Sequence, residues 1–199
     1  GLIDGVTTNP SLIYKSGKDF KTVIKEISEL IDGPISAEVT STVGKEMIDQ
    51  GIKLSKISKN IVVKVPLTED GLKACKELST QNIKVNVTLC FSSAQALLAG
   101  KLGATYISPF IGRLDDIGTS GLNLIKEIVS IYNNYNKEIK TQVLAASIRS
   151  PLQVSQVAIM GAHVATIPPK IITQMIKHPL TDSGLEIFMN DWNKTGQKF

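Results

Sequence analysis

Hydrophobic positions along the chain switch between two periods. Short runs rich in β-branched residues read as strands: IDGVTT (3–8), ISAEV (35–39), IVVKV (61–65), KVNVTL (84–89), ATYIS (104–108), QVLAAS (142–147) and HVATIP (163–168). Between them the spacing lengthens to i, i+3, i+4, i+7. Phe20, Val23, Ile24, Ile27, Leu30 and Ile31 mark one amphipathic helix, and Leu72, Cys75 and Leu78 mark another behind an N-cap at Thr68. A last helix over about 181–193, with Thr181 as its N-cap, carries Leu185, Phe188, Met189 and Trp192. Strict β–α alternation implies parallel strands joined by right-handed crossovers. No linker, low-complexity tract or charge block interrupts residues 1–199, so one α/β domain is expected.

Two architectures fit that alternation, a doubly wound open sheet and a (β/α)8 TIM barrel. The open sheet usually carries a Gly-rich phosphate loop after an early strand. Here the first βα turn reads TTNPS, with no such loop. A barrel needs eight strands, and the pattern supplies seven. The chain opens with a strand and no helix before it, so the expectation is a barrel whose first β/α unit is missing from this sequence. A natural chain longer at its N-terminus follows from that expectation.

One strand is anomalous. KNIVVKVP (59–66) is apolar on both faces, yet it carries Lys64 one step before its end. An ammonium there is costly unless it is paired, reaches water or gives up its proton. Polar groups at other strand ends share the same rim. VNVTL places Asn86 and Thr88 on one face, opposite Val85, Val87 and Leu89. Glu38 sits near the tip of ISAEV, Asn9 follows Thr7 on the phase of the first strand, and Ser108 ends ATYIS. Each alone reads as a cap or a solvated strand end. Together, at the C-terminal strand ends where barrel enzymes keep their chemistry, they read as a site.

Charge sharpens that picture. Of the 22 basic residues only Arg113 (IGRLDD) and Arg149 (SIRSP) are arginine, and both follow strands on adjacent βα units. A planar fork that grips phosphate is what lysine cannot replace. Arg113 has Asp115 and Asp116 beside it, whereas Arg149 lies near Ser147 with no acid close in sequence. The net charge of +4 comes from scattered lysines, and 5% of residues are aromatic. Nucleic acid is a poor fit, and anionic small molecules are a better one. Cys75 and Cys90 make neither a disulfide framework nor a metal-ligand spacing, and His163 and His178 stand apart from both. Cys75 suits a helix core stripe, Cys90 a place beside the fourth strand, and His163 a structural role. No apolar run is long enough to span a bilayer, so a cytoplasmic protein without metal or membrane partner is expected.

Burial and neighbouring cations favour a neutral amine. Such an amine forms a Schiff base with a carbonyl, an electron sink for breaking or making the adjacent C–C bond. Glu38 and Thr88 would move protons through water beside it, and two arginines and a serine would anchor a phosphate. These parts describe an aldol enzyme acting on phosphosugars, with no cofactor.

GVTTNPS (5–11), AEV (37–39), VVKVPLT (62–68), NVTLCFS (86–92), GATYISPFIGRLDD (103–116) and AASIRSP (145–151) together resemble the transaldolases, in particular the short subgroup that includes fructose-6-phosphate aldolase. The resemblance runs in order from Gly1 to about Trp192. It implies a class I aldolase-type barrel that moves a dihydroxyacetone unit from sedoheptulose 7-phosphate to glyceraldehyde 3-phosphate, a step of the pentose phosphate pathway. It implies Lys64 as the Schiff-base lysine, Glu38 and Thr88 as holders of the catalytic water, Asn9, Asn86 and Ser108 as partners of the dihydroxyacetone hydroxyls, and Arg113, Ser147 and Arg149 as the phosphate site. Fructose-6-phosphate aldolases carry Gln at the position of Glu38 and Tyr at that of Phe110, so Glu38 and Phe110 point to transfer over free cleavage. The family's first-strand aspartate has no counterpart here, since Asp4 lies elsewhere. That departure keeps a silent phosphosugar-binding barrel as a rival reading. The resemblance further implies a ring-shaped homo-oligomer, often a decamer, with the C-terminal helix reaching a neighbour; the apolar stripe of LEIFMNDW fits that role and an intrachain helix equally.

Overall fold

Strand and helix alternate in the computed structural model, which describes residues 1–198. The order is β1 (Val6–Thr7), α1 (Pro10–Ser16), α2 (Phe20–Leu30), β2 (Ile35–Glu38), α3 (Gly44–Ser55), β3 (Ile61–Pro66), α4 (Glu69–Thr80), β4 (Val85–Cys90) and α5 (Ser93–Lys101). There follow β5 (Tyr106–Pro109), α6 (Ile111–Asp115), α7 (Gly121–Asn134), β6 (Gln142–Ala145), α8 (Pro151–Ile159), β7 (Val164–Ala165), α9 (Pro169–Ile176) and α10 (Pro179–Lys194). All seven strands coincide with the runs marked by sequence pattern, β3, β4 and β5 each reaching one residue further, to Pro66, Cys90 and Pro109. The outer two are the shortest, two residues each.

The strands form one curled parallel sheet in chain order, β1 to β7. Each pairs with the next, so every connection is a βα crossover. Among the described residues β7 does not pair with β1, so the sheet is an open part of a barrel. A closed eight-stranded barrel would need a strand between those two edges.

Register sorts the side chains by face. Ile35, Ala37, Val63, Val65, Val85, Val87, Ile107, Val143 and Ala145 join the apolar cluster packed beneath the helices. The alternate positions, Ser36, Glu38, Lys64, Asn86, Thr88 and Ser108, turn to the concave face. Parallel strands covered on both sides are normally apolar throughout. The polar half of this sheet therefore departs from ordinary parallel-strand packing.

Helix ends follow their capping chemistry. Thr68 Oγ1 accepts from the Gly71 N–H at 3.0 Å, as its N-cap role requires. In α2, Ile24 is fully buried, Ile31 serves as the C-cap and Leu30 is exposed. Cys75 and Leu78 fill the buried stripe of α4. The last helix starts earlier than its pattern implied: His178, not Thr181, is the N-cap, with Nδ1 accepting from the Leu180 N–H, and Pro179 occupies the first turn. No residue of α10 is buried, and Leu180, Leu185 and Phe188 are exposed. Among the described residues no helix is long and apolar enough to cross a membrane.

Candidate active site

Lys64 lies on β3 directly opposite Glu38 of β2 and Asn86 of β4. Its side chain is 4% exposed, and Nζ stands 2.9 Å from Glu38 Oε2. The same nitrogen donates to the Thr8 carbonyl at 3.2 Å. The buried cation is thus held by a carboxylate from one side and a main-chain oxygen from the other, which is how a buried charge is tolerated. Thr8 is itself fixed: its N–H and its hydroxyl both donate to the Ser36 carbonyl, at 2.9 and 2.8 Å.

Asn86 and Ser108 are joined on the next two strands, the Ser108 hydroxyl donating to Asn86 Oδ1 at 2.7 Å. Asn86 Nδ2 in turn donates to Ser36 Oγ at 3.1 Å. Thr88, two residues beyond Asn86, behaves differently. Its hydroxyl is the single buried side-chain nitrogen or oxygen among the described residues without a hydrogen-bond partner. Such an orphan costs about 1–3 kcal/mol, and β4 keeps it one residue before an irregularity. Leu89 takes a left-handed conformation at φ 60°, and the pairing with β5 shifts register between Val87 and Cys90. Strain of this kind gathers at functional sites.

The arginine end is built by the β5–α6 and β6–α8 connections. Main-chain bonds from Ile111 N–H to the Ala146 carbonyl and from Gly112 N–H to the Ser147 carbonyl tie the two connections together. A Cβ on Gly112 would run into the Ser147 carbonyl and the Arg149 side chain, so only glycine permits this approach. Ser147 is also left-handed, at φ 60°. The Arg113 guanidinium lies 5.0 Å from the centre of the Phe110 ring, which meets Phe91 edge-on.

The acid pairing of the arginines is the reverse of what sequence proximity suggested. Asp116 reaches Arg149, with 2.9 Å between Oδ2 and Nη2, and Arg113 stacks on Phe110 instead. Asp115 accepts from the Gly121 N–H and from the Gln153 side chain, and Gln153 accepts from the Arg149 N–H. Asn9 is also corrected: β1 ends at Thr7, and Asn9 Oδ1 caps α1 by accepting from the Leu12 N–H at 2.8 Å. Asp4 is exposed and precedes β1, at the strand end opposite Glu38 and Lys64. His163 is structural, with Nδ1 accepting from the Val143 N–H.

Three participants escaped the strand-end reading. Ser36 shares the phase of Glu38 in an otherwise apolar strand, a signal that was legible. Thr8 contributes a backbone oxygen, which no residue type announces. Tyr106, register partner of Asn86, lies half-buried on the concave face, where burial raises its phenol above the ordinary value.

A family model described as transaldolase/fructose-6-phosphate aldolase matches residues 1–199. A protein of Chelativorans sp. (strain BNC1) with the name "Probable transaldolase" is 61% identical over 198 residues, covering 100% of this chain and 90% of that protein. Proteins of the same name from Thermoanaerobacter sp. (strain X514) and Clostridioides difficile (strain 630) are 57% and 60% identical, with 91% of each covered. A family match over the whole chain, together with relatives 57–61% identical across it, shows that the chain belongs to the transaldolase/fructose-6-phosphate aldolase family.

Proposed function

We propose that the protein is a transaldolase, transferring a dihydroxyacetone unit from sedoheptulose 7-phosphate to glyceraldehyde 3-phosphate through a Schiff base on Lys64. The observation that carries this reading is the buried Lys64–Glu38 pair beside the unpartnered hydroxyl of Thr88. A proton passes from the Lys64 ammonium to Glu38, and the freed amine attacks the ketose C2 carbonyl. Loss of water gives the iminium. The C3–C4 bond then breaks, its electron pair entering the iminium as the C4 hydroxyl gives up its proton to a base; no residue from 1 to 198 is assigned that base role. The aldehyde leaves and an enamine stays on Lys64. Its nucleophilic carbon attacks the acceptor carbonyl, and water hydrolyses the new iminium, with Glu38 and Thr88 orienting that water.

Asn86, Ser108 and the free amide nitrogen of Asn9 hold the dihydroxyacetone hydroxyls, while Arg113, Ser147 and Arg149 take the phosphate. Phe110 offers no hydroxyl proton to the enamine, which favours transfer over release. Fructose-6-phosphate aldolase activity is the alternative within the family. The exposed apolar residues of α10 support a homo-oligomer in which this helix packs on a second copy, to be tested by light-scattering molar mass.

Borohydride reduction in the presence of fructose 6-phosphate, followed by peptide mapping, tests the chemistry. A dihydroxyacetone-sized adduct on Lys64 is expected. A folded sample with no adduct on Lys64 overturns the reading in favour of a silent binding barrel. Product formation without an acceptor aldehyde would replace transfer by free cleavage.

A further inference from the structure

Ser36 is connected to both chemical halves of the concave face. Through its main chain it holds Thr8, whose N–H and hydroxyl both donate to the Ser36 carbonyl while the Thr8 carbonyl accepts from Lys64. Through its hydroxyl it accepts from Asn86 Nδ2. The Asn86 amide is therefore held at both ends, its oxygen by Ser108 and its nitrogen by Ser36. The three side chains make a hydroxyl–amide–hydroxyl chain from β2 to β5, crossing β3. All are at most 4% exposed, so water does not compete for these bonds.

That chain fixes the plane and position of the amide, clamped between two buried hydroxyls. An amide nitrogen has two N–H donors and the oxygen none. With one N–H engaged by Ser36 and the oxygen engaged by Ser108, the second N–H is the donor left for a substrate hydroxyl. Remove the Ser36 hydroxyl, and the amide is left unheld on the β2 side.

We infer that Ser36 is a positioning residue that clamps the Asn86 amide in the plane from which its remaining N–H meets a hydroxyl of the bound ketose. The inference rests on the proposed aldol-transfer reading and acts through Asn86, not by contact with the reacting atoms.

A double-mutant cycle tests it. kcat and KM for fructose 6-phosphate with glyceraldehyde 3-phosphate, and the rate of borohydride-trapped adduct formation, are measured in the parent, Ser36→Ala, Asn86→Ala and the double variant. Ser36→Ala alone should lower kcat/KM about tenfold, the scale of one buried hydrogen bond to substrate. In the Asn86→Ala background it should change kcat/KM by less than about twofold, because the group it orients is gone. Thermal midpoints serve as the control for a structural role, which would persist in both backgrounds. Ser108→Ala, releasing the other end of the amide, should show the same dependence on Asn86. Losses that multiply across the cycle, or a Ser36→Ala enzyme with parental kinetics, overturn the inference while leaving the Schiff-base reading standing. No Lys64 adduct in the parent overturns that reading itself, and the role of Ser36 falls with it.

Discussion

Glu38 and Lys64 are partners twice over: their Cα positions pair in the β2–β3 ladder, and their side chains meet at 2.9 Å on its concave side. Strand register thus delivers the acid to the amine before any loop contributes. Buried ion pairs contribute little net stability, whereas removing one member leaves the other charge uncompensated. Glu38→Ala should therefore cost about 3 kcal/mol in urea unfolding, near the low end for such pairs because Glu38 keeps some exposure. Lys64→Met combined with Glu38→Leu should unfold at the parental midpoint or above it, yet form no adduct. A double variant as unstable as Glu38→Ala would show that the pair holds the fold and is not retained for chemistry.

Thr88 offers the cleaner separation of stability from activity. Its hydroxyl is buried and has no protein partner. Thr88→Val keeps the shape and removes the orphan, so stability should be unchanged or rise by about 1 kcal/mol. Turnover should fall at least about tenfold if the hydroxyl orients the hydrolytic water. A less stable variant with full turnover would contradict both halves.

Anion recognition can be read against the Asp116–Arg149 pair. Both side chains are more than half exposed, so the bond between them is worth about 0–1 kcal/mol and Asp116→Asn should barely move the thermal midpoint. The released guanidinium should then bind inorganic phosphate more tightly, seen as stronger competitive inhibition. Arg149→Ala should raise KM about tenfold or more for phosphorylated ketoses while leaving unphosphorylated dihydroxyacetone acceptance unchanged. Equal losses on both substrates would remove Arg149 from the phosphate site.

Alkaline behaviour follows from the two buried thiols. Burial pushes Cys75 from 9.0 up to about 11 and Cys90 up to about 12. The folded chain holds these protons more tightly than the unfolded chain. Their contribution to stability is therefore complete below the unfolded value and is lost as pH rises from about 9 through the folded values, where each unit counts about 1.4 kcal/mol. Urea midpoints should fall steadily above that onset, and Cys90→Ala should flatten the decline. Iodoacetamide should leave the folded protein active, since the thiolate is the nucleophile and neither sulfur presents one.

The strands were legible in the sequence because β-branched runs and helical spacing alternate without interruption, and Lys64 stood out because nothing apolar explains it. Capping chemistry was legible at Thr68 but misplaced at Thr181, where the proline of KHPL already marked the start. Asn9 was read by strand phase, although two residues past the strand its side chain answers to the next helix. Asp116 and Arg149 are 33 residues apart. Their pairing depends on how two loops are brought together at Gly112, a contact that sequence proximity to Arg113 does not show. The seven strands and their parallel order were legible for the same reason as the strands themselves, since each run is followed by a helical segment.

Strand order that repeats chain order has a consequence for how the molecule comes into being. Each sheet contact closes through a single βα segment, so loop-closure entropy is met in modest steps from the N-terminal side onward. Glu38, Lys64, Asn86, Thr88 and Ser108 all fall between Ile35 and Pro109. A nascent chain that has emerged only that far already contains every strand bearing the amine, its acid and the amide chain. Ser147 and Arg149 arrive with β6 and the turn after it. Chain order thus presents the Lys64 centre to folding ahead of these two residues proposed for phosphate.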